Sequence, residues 1–256
     1  MAIQREPVVL PALEPSPDAF KRSTVIFLHG LGDDGRGTGY GLAQQFQIYQ
    51  KLPHTKWVLP TANIDPAVGQ RCWYKPHDLP SPMKPRVPAR DDDEEEEDAV
   101  EAEEGEDEEG ILRTVEYIDS LVAAEVEAGI DPKRIVVGGF SQGCAVSMIW
   151  GLKGAWRDRV GGVFGLSGYF PKIKAVMPSN LGTDAEEGKH ASRWFFGHGM
   201  VDQLISTTLF ADGQKRLQQF VSRDNVEGHV YADLGHDVGG GELRDFWLWL
   251  KTIFQE

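Results

Sequence analysis

Apolar positions along this chain fall into short unbroken runs that alternate with stripes at helical spacing. Thr24-Val25-Ile26-Phe27-Leu28 is a continuous run ending at His29-Gly30, the pattern of a strand buried on both faces. Trp57-Val58-Leu59-Pro60 predicts a second short strand, closed by proline. Ile111, Val115, Ile118, Val122 and Val126 recur at three- and four-residue steps and predict a helix, with Gly129 as its stop. The second half alternates cleanly, with strands at 134–138, 162–166, 193–197 and 228–232 and helices over 142–152, 207–221 and 241–254. Such alternation predicts an α/β protein with a mostly parallel central sheet and helices on both faces. In these sheets reactive residues collect at the carboxyl ends of the strands.

Two stretches fall outside the alternation. Residues 1–21, with Pro7, Pro11, Pro15 and Pro17, read as an N-terminal arm or short edge strand ahead of a domain over 22–256. Within that domain, prolines at 80, 82, 85 and 88 lead into an acidic run, so residues 77–110 read as a solvated insertion that buries too little apolar area to order itself. Asp91 to Glu109 hold fifteen acids and no base. The net charge of -14 is therefore the property of one segment, since the rest carries 26 basic against 25 acidic residues. Neither part has the basic surplus that displaces counterions from nucleic acid.

A length of 256 residues suits one domain with a full core. Two cysteines, Cys72 and Cys144, exclude a disulfide scaffold and point to a reducing compartment, cytoplasmic or nuclear. Both read as small core residues, and neither has companions at zinc-ligand spacing, so no metal is expected. The charged N-terminus lacks a signal-peptide apolar run, no stretch approaches the roughly 18 apolar residues of a membrane span, and no lipidation motif occurs. In the last helix Leu243, Trp247, Leu250 and Phe254 form one stripe that packs on the sheet, which leaves Trp249 exposed.

The chemistry concentrates after the predicted strand at 134–138. Gly139-Phe140-Ser141-Gln142-Gly143 fits G-x-S-x-G between a strand and a helix, the context of a nucleophile elbow. So tight a turn needs glycine where a Cβ would clash, and it holds the serine hydroxyl above the sheet at a helix N-terminus. A serine needs a base, and the base an orienting acid; in this fold class the chain order is serine, acid, histidine. His190, His198, His229 and His236 follow Ser141. His190 sits in a polar stretch and His229 within a strand, whereas His236 lies on the glycine-flanked loop Leu234 to Gly239 before the last helix. Asp202 follows Gly197-His198-Gly199 at a strand's carboxyl end, too early to cap the 207–221 helix; His198 reads as a structural residue of that loop. The oxyanion needs two N–H donors. Gln142, just after the serine, supplies one, and Leu31 in the glycine-rich loop His29 to Gly35 is the candidate for the other.

Together, in this order, the motifs resemble the acyl-protein thioesterase / lysophospholipase-like carboxylesterase family of serine hydrolases with the α/β-hydrolase fold. The resemblance rests on Phe27-Leu28-His29-Gly30-Leu31-Gly32-Asp33, on Arg134 to Gly143, on Leu166-Ser167-Gly168-Tyr169-Phe170-Pro171, on Gly197-His198-Gly199 with Asp202, and on Gly235-His236. It implies hydrolysis of acyl thioesters or carboxylic esters without a cofactor. Substrates would be acylated proteins, lysophospholipids or small acyl esters, met by a monomer or weak homodimer with transient membrane contact. It also implies that Trp73, in Arg71-Cys72-Trp73-Tyr74, lies near the substrate entrance, with ordinary core packing as the competing reading. The chain departs from the family at Gln203, where proline usually follows the acid, and at Asp237, where serine usually follows the histidine. The 77–110 insertion is longer and more acidic than the family norm; it either tunes access or is solvated without a role. From a different class, a catalytically inactive fold that uses the acidic insertion to hold a basic partner is the alternative. A peptidase of the same fold would want an additional domain to select peptides.

Overall fold

Alternate residues of the first buried strand point to opposite faces of one sheet, and two cores form there. In the computed structural model, which describes residues 5–18, 20–76, 106–176 and 192–255, this strand is β2 (Ser23–Leu28). Val25 and Phe27 join one core, Ile26 and Leu28 the other. The sheet also takes in β1 (Val8–Leu10), β3 (Thr55–Leu59), β6 (Ile135–Phe140), β7 (Gly162–Leu166), β8 (Arg193–Gly199) and β9 (Val226–Tyr231). A separate two-stranded hairpin joins β4 (Ile64–Asp65) and β5 (Gln70–Arg71). The seven strands run in the order β1-β3-β2-β6-β7-β8-β9, all parallel except the edge strand β1, which pairs antiparallel with β3. The arm is thus partly an edge strand, as its composition allowed.

One core packs α2 (Glu108–Glu127), α3 (Gln142–Lys153) and α4 (Thr207–Leu217) against Ile26, Val137, Val163, Trp194 and Phe196. The other packs α1 (Thr38–Ile48) and α5 (Gly240–Phe254) against Val25, Phe27, Val136, Phe164 and Phe195. Helices cover both faces, as expected.

Three expectations need correction, and one helix is additional. Trp249 is buried, not exposed, with its ring 5.7 Å from Phe195; it is Trp247 that sits at the rim, beneath Lys51 Nζ at 3.9 Å. The helix simply rotates its largest apolar surface onto the sheet. Cys72 is half-buried rather than a core residue, while Cys144 is buried. The insertion yields earlier than residue 110. Asp107 caps α2 by accepting Gly110 N–H at 2.9 Å, and Glu108 and Glu109 form its first turn, where carboxylates oppose the positive helix end. Residues 77–105 lie outside the described residues. The additional helix, α1, shows no apolar period in the sequence. Gly39 and Gly41 and a run of glutamines obscure its period, yet Leu42, Ala43 and Phe46 bury one face.

Candidate active site

The elbow forms where β6 ends against the β2 carbonyls. A Cβ at Gly139 or Gly143 would collide with the carbonyl oxygen of Leu28, so both flanking positions admit only glycine. Between them Ser141 takes φ 54°, a left-handed conformation that costs a residue with a side chain of order 1–3 kcal/mol. The surroundings hold it there. Ser141 N–H donates to Leu166 O at 2.9 Å, and its own carbonyl accepts Ala145 N–H at 3.1 Å in the first turn of α3.

The structure brings Ser141, His236 and Asp202 together from three separate loops. Ser141 Oγ lies 2.9 Å from His236 Nε2, and His236 Nδ1 lies 2.8 Å from Asp202 Oδ2. The Asp202 side chain is fully buried and that of His236 is 16% exposed, so the carboxylate is sheltered while the imidazole keeps some access to solvent. Asp202 Oδ1 accepts the N–H groups of Leu204 and Ile205 at 2.8 and 2.9 Å, which fixes the carboxylate in a tight turn after β8. Phe140 packs on the other side of the imidazole, ring centres 5.0 Å apart.

His198 supports that turn from below. It is wholly buried, its Nε2–H donates to Ile205 O at 2.9 Å, and its ring stacks on Phe210 at 4.5 Å. Burial lowers its pKa, and with Nε2–H committed to Ile205 O the ring braces the turn. His229 is a half-exposed residue of β9 beside Glu227, remote in role from the site. Ser206, not Asp202, caps α4, through Leu209 N–H. His190 lies outside the described residues.

The loop after β2 lies directly against the nucleophile: a Cβ built on Gly30 would stand 3.3 Å from Ser141 Cβ. Gln142 opens α3, so its N–H is among those at a helix start that have no acceptor within the helix. Trp73 is in the core, 5% exposed, with its indole N–H donating to His29 O at 2.8 Å and its ring against His29 and Tyr117. It is packed there as a core residue. It borders a cavity of about 490 Å³ between the β4–β5 hairpin and α2.

Sequence reading missed what holds these loops in place. Gln142 Oε1 accepts Trp73 N–H and Gln142 Nε2 donates to Tyr74 O, both at 2.9 Å, while Thr114 Oγ1 donates to Trp73 O at 2.7 Å. These partners lie 41 to 69 residues apart, so no local pattern announces them. Of the two departures, Gln203 is exposed and Asp237 hydrogen-bonds locally to Val238 N–H at 2.7 Å.

Comparison with known proteins gives the family. The phospholipase/carboxylesterase family model matches residues 15–81 and 96–253. The chain is 35% identical over 255 residues to acyl-protein thioesterase 1 of Yarrowia lipolytica, covering 96% of this chain and 98% of that one. It is 30% identical over 258 residues to acyl-protein thioesterase 1 of Aspergillus fumigatus, covering 99% and 95%. In fold it is similar to Arabidopsis thaliana SOBER1, with a TM-score of 0.70 at 23% identity, covering 91% and 99% of the two chains. A Zea mays acyl-protein thioesterase 2 structure gives a TM-score of 0.68 at 21% identity, covering 97% and 99%. With an elbow serine at the head of α3 and these relatives along nearly its whole length, the chain belongs to the phospholipase/carboxylesterase family of α/β hydrolases.

Proposed function

We propose that this protein is a serine hydrolase that cleaves acyl thioesters or carboxylic esters through Ser141, His236 and Asp202. The unbroken chain of contacts from Ser141 Oγ through His236 to Asp202 Oδ2, at 2.9 and 2.8 Å, carries the reading. His236 Nε2 takes the hydroxyl proton as Ser141 Oγ attacks the acyl carbonyl carbon. The negative charge that builds on the carbonyl oxygen is met by the N–H groups of Leu31 and Gln142. The resulting imidazolium is stabilised by the buried Asp202 carboxylate and then protonates the departing thiol or alcohol. Water, deprotonated by the same imidazole, attacks the acyl-serine, releases the acid and restores the enzyme. No step calls for a metal or an organic cofactor.

Acyl groups on protein cysteines are the substrate class we favour, because the two relatives named above are acyl-protein thioesterases along nearly their full length. Such substrates sit at membrane surfaces. Among the described residues no helix is long and apolar enough to cross a membrane; the transient membrane contact that the family resemblance implies is part of this proposal. The test is turnover of p-nitrophenyl acyl esters and of an S-acylated peptide by the full chain. Ser141→Ala should lower both by several orders of magnitude and abolish covalent labelling by a fluorophosphonate. Retained turnover in that variant, or no turnover and no labelling in the native chain, would refute the reading; the latter is what an inactive binding protein predicts.

A further inference from the structure

His29 ends β2 one residue before the loop that faces Ser141, and it is 1% exposed. Its two nitrogens meet opposite kinds of partner. Nδ1 lies 2.6 Å from the carbonyl oxygen of Gly30, which can only accept. Nε2 lies 3.0 Å from the backbone nitrogen of Ala62, which can only donate. One assignment satisfies both: a neutral ring with its proton on Nδ1. A second proton would set an Nε2–H against the Ala62 N–H. Burial holds the ring's pKa below its ordinary value, against the opposite pull of the Gly30 hydrogen bond and of Asp33 and Asp34 and in line with the nearby Arg71.

That neutral ring has a consequence for the next peptide. The described backbone has no cis peptide bond, so the N–H of Leu31 points opposite to the C=O of Gly30. The Gly30 carbonyl is drawn towards the imidazole by Nδ1–H and receives Asp33 N–H at 3.3 Å as well. The Leu31 N–H is therefore directed away from the imidazole, in a loop whose Gly30 stands against Ser141. The peptide before it is clamped too, because His29 O accepts the Trp73 indole N–H at 2.8 Å.

We propose that His29 is a positioning residue of the oxyanion hole: by holding the Gly30 carbonyl through Nδ1–H, it aims the Leu31 N–H at the carbonyl oxygen of an acyl group bound at Ser141. The proposal rests on the serine-hydrolase reading above and adds a residue that never touches substrate. Its action falls on the transition state alone, since a ground-state carbonyl gains little from a well-aimed N–H that an oxyanion needs.

Two substitutions separate the two ends of the ring. In His29→Asn the amide nitrogen stands where Nδ1 was and can still donate to Gly30 O, while the bond to Ala62 is lost. In His29→Gln the amide reaches the Nε2 position, so Ala62 keeps a partner and Gly30 loses its donor. With p-nitrophenyl acyl esters, His29→Asn should keep kcat within about tenfold of the native chain, and His29→Gln should lose about 10²-fold, near the cost of one oxyanion donor. KM should change less than threefold in both. A trifluoromethyl ketone that forms an oxyanion on Ser141 should lose affinity in His29→Gln in step with kcat/KM, while a fatty-acid product should not. Thermal denaturation establishes that each variant is folded. Equal kcat in the two folded variants, or a better His29→Gln, would overturn the proposal, because a packing role does not distinguish the ring's two ends. Native-like turnover in Ser141→Ala would overturn the serine reading itself, an outcome the His29 pair cannot mimic.

Discussion

Gln142 Oε1 accepts the backbone N–H of Trp73 at 2.9 Å, across 69 positions of sequence, and the other end of the same amide donates to Tyr74 O. One side chain therefore ties the head of α3, and with it the backbone N–H beside Ser141, to the segment that braces the loop at His29. Both backbone groups are buried and have little access to water instead. Gln142→Leu should strand them at a cost of about 1–3 kcal/mol each. Urea denaturation should show that loss, and kcat should fall with it. A variant within 0.5 kcal/mol of the native chain, on the scale of an ordinary surface change, would show the tie to be dispensable.

In the proposed mechanism the carboxylate at 202 holds the imidazole in the tautomer that can accept a proton at Nε2. In Asp202→Asn the amide oxygen can keep the bonds from Leu204 and Ile205, so the turn survives. The amide nitrogen would then face Nδ1 and favour the wrong tautomer. We expect kcat to fall by about 10³–10⁴-fold with little change in melting temperature, read by steady-state kinetics beside a thermal scan. A large drop in stability together with a small drop in rate would reverse the assignment.

Glu242 is fully buried under β8, where a Cβ at Gly197 would meet its carboxyl group. Its Oε1 has no hydrogen-bond partner among the described residues, and Oε2 accepts Gly239 N–H at 3.4 Å. Desolvation, assisted by Asp237, raises its pKa from 4.5 to about 8. Between those values the folded chain keeps a proton that the unfolded chain has lost. Stability from this group therefore declines as pH rises from about 4.5 to 8 and levels off above, a contribution of a few kcal/mol. Glu242→Gln should flatten that decline, leaving stability nearly unchanged at pH 4.5 and higher at pH 8, as followed by denaturation across pH. A slope identical to that of the native chain would exclude the carboxyl as its source.

Gly143→Ala tests the elbow's sterics. The added methyl would run into the Leu28 and His29 carbonyls, which belong to backbone and cannot swing aside. We expect a loss of about 3 kcal/mol or more, or failure to accumulate as folded protein, measured by soluble yield and denaturation. Gly41 is the internal control, because a Cβ there has nothing within 4 Å.

Most of the sheet was legible because its central strands are buried on both faces and so run through apolar or small residues with few polar breaks, as in β2, β6 and β7. α2 was equally plain, its buried stripe of Ile111, Val115, Ile118 and Val122 matching the helical period. α1 was hidden because it buries Gly39 and Ala43 beside Leu42 and Phe46, so small residues replace the apolar signal that periodicity detects. Trp249 was misplaced since α5 is apolar on most of its circumference, and only the sheet's own surface chooses which side faces in.

By itself the sequence determined the order of elements, the elbow around Ser141 and the identity of the residues able to act as base and acid, because each depends on a local run of side chains or on the sterics of one turn. Tertiary structure alone set the 2.9 Å between His236 and Ser141, let Gln142 grip Trp73 and let His29 meet Gly30 with one ring nitrogen and Ala62 with the other. Those are distances between segments far apart along the chain, and they exist only once parallel strands lay their carboxyl ends side by side.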